Sequence, residues 1–308
     1  MAPERRNAIT LVAALAAVYV LWGSTSPAMK VVVATVPPWY MAAFRFLGAG
    51  SLLFLYARLR GAPSPSVREW RGAAISGSLL LVGGNGLFAW CLQYIPAGVG
   101  ALFFALSPLW NALIGAIFYR ERLAPTAIAG IVLGFAGMLY IVSPSGNEHM
   151  PPLATALGIV SSIAWSAGSM IQRRYRSNDV AQMSGMQMLV ACAILLVMAV
   201  VGGERLHVDQ FTPAAIGGIV FLVIGGSLIA FSAFVWLARH ASTVLASTYS
   251  YVNPVVAIAI SVALLHEPLT WQTMLGAGIV IAGVALMLLS PSPSPAAARL
   301  RALEPVEP

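Results

Sequence analysis

Ten long apolar stretches are the feature that most constrains how this chain can fold. A helix rises 1.5 Å per residue and the hydrocarbon core of a bilayer is about 30 Å thick, so one crossing takes roughly 20 residues. Stretches of about that length follow one another with only short polar segments between them. They run over residues 8–29, 38–57, 72–93, 97–118, 125–143, 153–172, 182–201, 213–236, 242–264 and 270–289. This pattern predicts an all-α integral membrane protein with ten transmembrane helices.

The composition excludes a water-soluble fold and leaves no room for a separate soluble domain. Of 308 residues, 59% are hydrophobic and only 9% are charged, whereas soluble domains carry about 25% charged residues. The net charge of +7 is spread over many loops rather than gathered in one patch. We therefore expect the lipid bilayer, and not a nucleic acid, to be the partner of this surface.

The basic residues predict the orientation of the helices. With the N-terminus placed in the cytoplasm, fourteen of the 17 Lys and Arg residues fall in cytoplasmic segments, Lys30 and Arg205 fall outside, and Arg45 lies within a span. Such a bias follows the positive-inside rule. We expect both termini to be cytoplasmic, and we expect residues 291–308, rich in Pro, Ser and Ala, to form a disordered cytoplasmic tail.

The two halves of the chain resemble each other. A shift of 143 positions superposes Trp22 on Trp165, and a shift of 146 superposes a longer framework without gaps. The pairs at a shift of 146 include Phe88 with Phe234, Trp90 with Trp236, Pro108 with Pro254, Glu121 with Glu267, Gly130 with Gly276 and Gly137 with Gly283. Each half holds five helices, an odd number, so the second half enters the membrane upside down. We predict a first five-helix repeat over 1–146 and a second, inverted five-helix repeat over 147–290.

Several short motifs carry a resemblance to a known family. They are WGSTSPAMK at 22–30, AFRF at 43–46, RERL at 120–123, AWSAGSMIQRR at 164–174 and HEPL at 266–269. With these motifs the chain resembles the drug/metabolite transporter superfamily, specifically the EamA-type exporters, and within them the bacterial exporters of aromatic and other amino acids. The resemblance implies ten helices around a central cavity between the halves. It also implies rocking between inward-open and outward-open states, and a place in the bacterial inner membrane.

Three charged residues are candidates for gating or structural roles. Arg45 is the only charge clearly inside a predicted helix, and a charge in the membrane marks a functional site by default. It either attracts a carboxylate or gates the mouth of the cavity, or it bonds to helix-end carbonyls and fixes the packing. Glu121 and Glu267 lie at helix ends, where a carboxylate interacts favourably with the N-terminus of the next helix.

Two prolines complete the gating or structural set. Pro108 and Pro254 each remove a backbone donor from the middle of a predicted helix. This frees the carbonyls of Phe104 and Ser250, and we expect it to kink both helices. Freed carbonyls at membrane depth either line a cavity or find partners in the packed protein.

Polar and aromatic side chains cluster in equivalent helices of the two halves, and they are the candidates for substrate binding. The set is Trp22, Ser24, Asn85, Phe103, Trp165, Ser169, Gln187, Tyr249 and Tyr251. Asn85, Trp165 and Tyr249 are the strongest candidates. Small polar residues also serve helix–helix packing, so that interpretation stays open for part of the set. A neutral, aromatic lining suits an amphipathic zwitterion or an uncharged metabolite better than a phosphate.

The sequence predicts a transporter rather than an enzyme, with no catalytic residues, metal site or cofactor. It holds no paired metal ligands, no carboxylate dyad in a helix and no nucleophile motif. No acidic residue lies deep in a helix, which favours uncoupled facilitated diffusion or exchange over proton antiport. We predict an exporter of small neutral metabolites, foremost amino acids with aromatic preference, that works as a monomer. The alternative is an exporter of hydrophobic drugs or other metabolites, with or without proton coupling.

Overall fold

The computed structural model describes residues 3–143, 150–172, 174–175 and 179–290. Within this part of the chain there is no strand, and ten helices are long and apolar enough to cross a membrane. These ten spans are α1 Ile9–Val33, α2 Pro38–Leu59, α3 Val67–Cys91, α4 Ala97–Tyr119, α5 Pro125–Val142, α6 Pro152–Gln172, α7 Val180–Val201, α8 Pro213–Leu237, α9 Leu245–Leu265 and α10 Trp271–Leu288. The predicted all-α fold with ten membrane spans is confirmed. The predicted tail over 291–308 and the boundary between the repeats at 146 and 147 lie outside the described residues.

The largest difference from the predicted helix bounds is at the start of α3. The sequence predicted the start of this span at residue 72, but the helix begins at Val67. Ser66 and Glu69 form a capping box, in which Glu69 N donates to Ser66 Oγ at 3.2 Å and Ser66 N donates to Glu69 Oε2 at 2.8 Å. This pair satisfies backbone donors that a helix start leaves free. The charged residues after Val67 therefore lie on the first turns of α3.

Three of the spans contain a stretch of π-helix, which the sequence did not predict. These stretches are Val18–Trp22 in α1, Ser78–Gly86 in α3 and Leu222–Ile229 in α8. The stretches in α3 and α8 overlap at the shift of 146 that relates the two halves. A π-helix adds a residue to a turn, is rare and occurs frequently at functional sites.

The two prolines act differently on their helices. Helix α4 is interrupted as expected and consists of two segments. The first, Ala97–Ala105, is followed by its C-cap Leu106, and the second, Ser107–Tyr119, has Pro108 at its second position. Pro254 instead lies inside a continuous helix, Tyr249–Leu265. The interruption in that half falls at Thr248, six residues before Pro254. The interruption thus lies outside the helix that contains Pro254, and a kink at Pro254 stays a prediction.

Glycines let α5 and α10 cross at backbone contact. A β-carbon on Gly130 would lie 2.6 Å from the carbonyl oxygen of Gly283, and one on Gly137 would lie 3.0 Å from that of Gly276. The shift of 146 pairs Gly130 with Gly276 and Gly137 with Gly283, so each contact is the repeat image of the other. As residue numbers rise along α5 they fall along α10, and the two helices are antiparallel. This is consistent with an inverted repeat.

The loops after α4 and α9 also share one backbone geometry. Arg120 and His266, 146 residues apart, each have φ +54°, and they are the only non-glycine residues with positive φ in the described part of the chain. The next residue closes the helix in both cases. Glu121 N donates to Gly115 O at 3.2 Å, and Glu267 N donates to Ser261 O at 3.1 Å.

Candidate functional site

Arg45 lies at the centre of the candidate site, between the two halves of the molecule. It is the eighth residue of α2, about 10 Å from the start of the helix, and only 7% of its surface is exposed. Its Nε donates to Ser227 Oγ at 3.1 Å and its Nη1 donates to Asn85 Oδ1 at 3.5 Å. Ser227 lies in the π-helical stretch of α8 and Asn85 in that of α3. The guanidinium group therefore bridges the two π-helical stretches.

The remaining contacts of Arg45 are also with neutral groups. Its Nη1 lies 3.6 Å from Met29 Sδ, and its guanidinium carbon lies 5.5 Å from the centre of the Phe46 ring. No carboxylate among the described residues pairs with this cation. A charge in the hydrocarbon region costs about 2.5–3.5 kcal/mol on insertion scales. No carboxylate in the described part of the chain offsets that cost, so Arg45 remains a candidate for a gating or structural role.

The first of two aromatic clusters adjoins the π-helical stretch of α8. The Trp22 ring lies 5.1 Å from that of Phe234 and 5.3 Å from that of Tyr249, and Phe234 and Tyr249 lie 5.5 Å apart. Trp22 Nε1 donates to Gly226 O at 2.9 Å. Since Gly226 precedes Ser227, this cluster is connected to the Arg45 contact.

The second aromatic cluster adjoins the π-helical stretch of α3. The Trp165 ring lies 5.5 Å from that of Phe104, which lies 4.7 Å from that of Phe88. A β-carbon on Gly84 would lie 3.2 Å from the Trp165 ring, so glycine at this position lets the indole pack on the helix backbone. Gly84 precedes Asn85, the other partner of Arg45. The first helix of each half therefore packs its tryptophan on the π-helical stretch of the opposite half.

Two unpaired acceptors lie beside these clusters, at positions related by the repeat. Ser107 Oγ and Asn253 Oδ1 are buried and have no hydrogen-bond partner in the described part of the chain. They are 146 residues apart, and each directly precedes one of the repeat-related prolines. Ser107 O accepts from Ser166 Oγ at 3.2 Å, next to Trp165, and Asn253 O lies against Gly23, next to Trp22. Buried polar groups are usually paired, so each acceptor points to a missing donor.

The structure brings some of the predicted substrate-binding residues to this site. Trp22, Asn85, Trp165 and Tyr249 belong to it. Ser169 lies one turn from Trp165 and donates to Ser166 O at 2.7 Å. These five residues remain candidates for substrate contact.

Four predicted substrate-binding residues serve other contacts here. Ser24 Oγ donates to Val20 O within its own helix, and Gln187 Nε2 donates to Ser76 Oγ at 2.7 Å in the packing between α7 and α3. Phe103 is fully buried in the core, where it packs against Gly158. Tyr251 is half-buried against the same core.

The sequence predicted that Glu267 interacts with the start of the next helix, but in the structure its carboxylate binds the start of α4. Its Oε1 accepts from Ala97 N at 2.8 Å and its Oε2 accepts from Gly98 N at 3.3 Å. It therefore connects the loop after α9 to a helix of the other half. Its repeat mate Glu121 is exposed, and its carboxylate accepts no hydrogen bond from the described residues. The two glutamates thus differ in role in this structure.

Glu204 was not predicted and plays a similar part at α2. Its carboxylate accepts from Trp39 N at 3.3 Å and Tyr40 N at 3.4 Å. Burial raises the pKa of Glu204, and the two backbone amides act in the opposite direction. Its position three residues beyond a predicted helix end gave no signal, whereas the polar residues before Pro108 and Pro254 were visible in the sequence. Among the residues described, no group of three or more His, Cys, Asp or Glu side chains could hold a metal ion.

Comparison with known proteins then identifies the family. The model of the EamA-like transporter family matches residues 8–143 and, a second time, residues 152–289. The chain belongs to the EamA-like transporter family. As a member, it is a membrane transporter that binds small molecules and not an enzyme, as the sequence predicted. The two matches correspond to the two five-helix halves.

Individual relatives agree with this membership. The uncharacterized inner membrane transporter YedA of Escherichia coli K12 is 34% identical over 288 residues, covering 92% of both chains. The uncharacterized transporter YvbV of Bacillus subtilis 168 is 24% identical over 286 residues, again covering 92% of both. A solved crystal structure matches with a TM-score of 0.65 and 21% identity over 91% of this chain and 98% of the other. At that identity it supports the fold alone.

Proposed function

We propose that this EamA-family transporter exports small neutral metabolites, foremost amino acids with aromatic preference, by alternating access. The observation that carries the proposal is the pair of repeat-related aromatic clusters around Trp22 and Trp165. Each packs on a π-helical stretch of the opposite half, so relative motion of the halves would act on both clusters. Aromatic rings prefer edge-to-face and offset contacts with other rings, and such surfaces favour an aromatic side chain.

The polar groups of the site fit the backbone part of an amino acid. The unpaired acceptors Ser107 Oγ and Asn253 Oδ1 suit the N–H donors of an ammonium group. No basic cluster is present that would favour a phosphate ester, because Arg45 is the single cation among these contacts. A molecule with an aromatic body and a small polar head matches this combination.

We further propose that transport is uncoupled from protons. Among the ten spans, the only acidic residue is Glu69, which is bound in the capping box at the start of α3, and no histidine lies in any span. Proton-coupled carriers use titratable groups inside the membrane. Facilitated diffusion or exchange needs none.

The location and the functional unit follow from the same features. The relative YedA is named as an inner membrane transporter, and we propose the bacterial inner membrane for this chain. The distribution of basic residues supports two cytoplasmic termini. One chain contains both halves of the site, so we propose that a monomer suffices for transport.

Uptake into proteoliposomes tests the proposal. Radiolabelled phenylalanine, threonine and glutamate are compared with and without a pH gradient, and we expect saturable phenylalanine uptake that needs no gradient. Trp165→Ala should reduce this uptake about tenfold, because it removes a ring from the second cluster. The matched control is Trp271→Ala, since Trp271 lies on α10 and is 72% exposed.

Each result has a distinct meaning. Uptake that appears only with a pH gradient would keep the substrate and overturn the uncoupled mechanism. No uptake of any amino acid, beside transport of hydrophobic cations or other metabolites by the same vesicles, would replace the amino-acid proposal with the alternative of a drug or metabolite exporter. Equal losses in the two tryptophan variants would remove Trp165 from the site.

A further inference from the structure

The positive charge of Arg45 has no counter-ion among the residues that the structure describes. Of the ten Asp and Glu residues, only Glu69 lies within a span. It is held by Ser66, with bonds of 2.8 and 2.9 Å from N and Oγ, and it lies 16 residues before Asn85, about 24 Å along the helix. Two carboxylates at helix ends, those of Glu204 and Glu267, accept from backbone amides. Among the residues that the structure describes, no carboxylate is therefore left to neutralise Arg45, which makes an anion from outside the chain its candidate partner.

The hydrogen-bonding capacity of Arg45 is also incompletely used. A guanidinium offers five N–H donors in a planar fork that matches the two oxygens of a carboxylate. Only the bond to Ser227 has ordinary length, at 3.1 Å, and the contacts to Asn85 and Met29 are 3.5 and 3.6 Å. Nη2 makes no hydrogen bond to a residue that the structure describes. Two long contacts to neutral groups are easily replaced by charge-assisted bonds to a carboxylate.

The unused N–H donors of Arg45 Nη2 lie beside the first aromatic cluster. Nη2 lies 3.6 Å from the point where a β-carbon on Gly226 would stand, so the glycine leaves that side of the guanidinium uncovered. Gly226 O is also the acceptor of the Trp22 indole. A carboxylate on Nη2 would therefore place the rest of its molecule beside the first aromatic cluster.

We propose that Arg45 binds the carboxylate of the transported molecule, so that this transporter selects organic carboxylates over their uncharged or cationic counterparts. The inference rests on the proposed function in one respect, that the substrate passes between the two halves. It goes further because it assigns a residue to one chemical group of the substrate. It also holds for carboxylates that are not amino acids.

Pairs of compounds that differ only in the carboxylate test this assignment. The first pair is phenylalanine and phenylalaninamide, and the second is 3-phenylpropionate and 3-phenylpropionamide, which lack the amine. Binding to the purified full-length protein is measured from the ligand dependence of its thermal unfolding temperature. In each pair that binds, we expect the carboxylate to bind at least about tenfold more tightly, because its partner leaves a buried donor unpaired.

Variants separate a substrate contact from a purely structural role. Arg45→Gln should abolish the difference within a pair while leaving the weak binding of the amides unchanged, and Arg45→Lys should retain part of it because the charge remains. The matched control is Arg58→Gln on the same helix, since Arg58 is exposed and its Nη1 donates to Ala62 O at 2.6 Å. It should preserve the full difference. The wild-type comparison of each pair needs no variant, so an unstable Arg45→Gln does not prevent a decision.

The outcomes distinguish this inference from the proposed function. Arg45-dependent binding of 3-phenylpropionate without binding of phenylalanine would support the carboxylate site and overturn the amino-acid proposal. Equal binding of acid and amide in the wild type would overturn the inference, as would an equal loss for both members of a pair in Arg45→Gln. No binding of any carboxylate by a folded protein would overturn both.

Discussion

At the scale of single residues, the two unpaired acceptors beside the prolines give the site an unusual energetic property. Ser107 Oγ and Asn253 Oδ1 are buried without partners within the described part of the chain. Such a group costs about 1–3 kcal/mol of folding free energy. A ligand donor that bonds to it removes this cost on binding. Removal of such an acceptor should therefore raise the stability of the empty protein and lower its affinity for the ligand.

Ser107→Ala tests this property directly. We expect the free energy of unfolding of the empty protein to rise by about 1 kcal/mol, because an unpaired buried hydroxyl is removed, while substrate uptake falls severalfold. Thermal unfolding and proteoliposome uptake measure the two effects. The control is Ser162→Ala, since Ser162 Oγ accepts from Trp110 Nε1 at 2.9 Å and donates to Ile159 O at 2.8 Å. Ser162→Ala should lower the free energy of unfolding, because it removes a hydroxyl that has two partners. If Ser107→Ala also lowered it, the argument would be contradicted.

At the scale of helices, the crossing of α5 and α10 depends on glycines that face the partner backbone. A β-carbon on Gly283 would lie 2.7 Å from Gly130 O, closer than real β-carbons come to a carbonyl oxygen. Gly278 lies on the same helix, and a β-carbon there would meet nothing within 4 Å. The same substitution can therefore be made at a packed and at an open position of one helix.

Gly283→Ala should lower the free energy of unfolding by about 1–3 kcal/mol, the usual cost of overpacking. Gly278→Ala should leave it unchanged or raise it by up to about 1 kcal/mol, because alanine favours the helix over glycine. Thermal unfolding of the two variants in one detergent gives the comparison. Equal stability of the two variants would mean that α5 and α10 do not pack as closely as the structure has them.

The sequence predicted the helices well because apolar length is a one-dimensional signal, and it failed where a local contact decides the outcome. The start of α3 was missed because the capping box of Ser66 and Glu69 reads as part of a polar loop. The π-helical stretches were not predicted because their residues are as apolar as the α-helical parts of the same spans. For the candidate site, the sequence did not distinguish neighbouring residues of one helix that face different partners. Phe103 was predicted to line the site, but it is buried in the core while Phe104 packs on Trp165.

At the scale of the whole molecule, hydrogen bonds join elements distant in sequence at one end of the helices. Around the start of α4, Glu267 accepts from Ala97 N, Ser26 Oγ donates to Ala97 O at 2.6 Å, and Lys30 Nζ donates to Leu92 O at 2.6 Å and Ile95 O at 2.9 Å. These bonds join the loop after α9 and the end of α1 to one short segment. The repeat mate Glu121 makes no such bond at the opposite end. A transporter that alternates between two states needs such contacts to differ between its two ends.

Removal of the Glu267 contact should therefore open this end. The native thiol of Cys91 reports on it, because Cys91 is fully buried at the end of α3 and packs in the core cluster with Leu92. In a Cys192→Ser background in nanodiscs, we expect Glu267→Ala to accelerate labelling of Cys91 by a water-soluble maleimide about tenfold, because loss of the two bonds favours the open state by roughly 1.4 kcal/mol. Glu121→Ala, the matched change in the other repeat, should leave the rate unchanged. Equal acceleration by both variants would indicate general loosening of the fold, and no acceleration by Glu267→Ala would contradict the proposed role of the Glu267 contact.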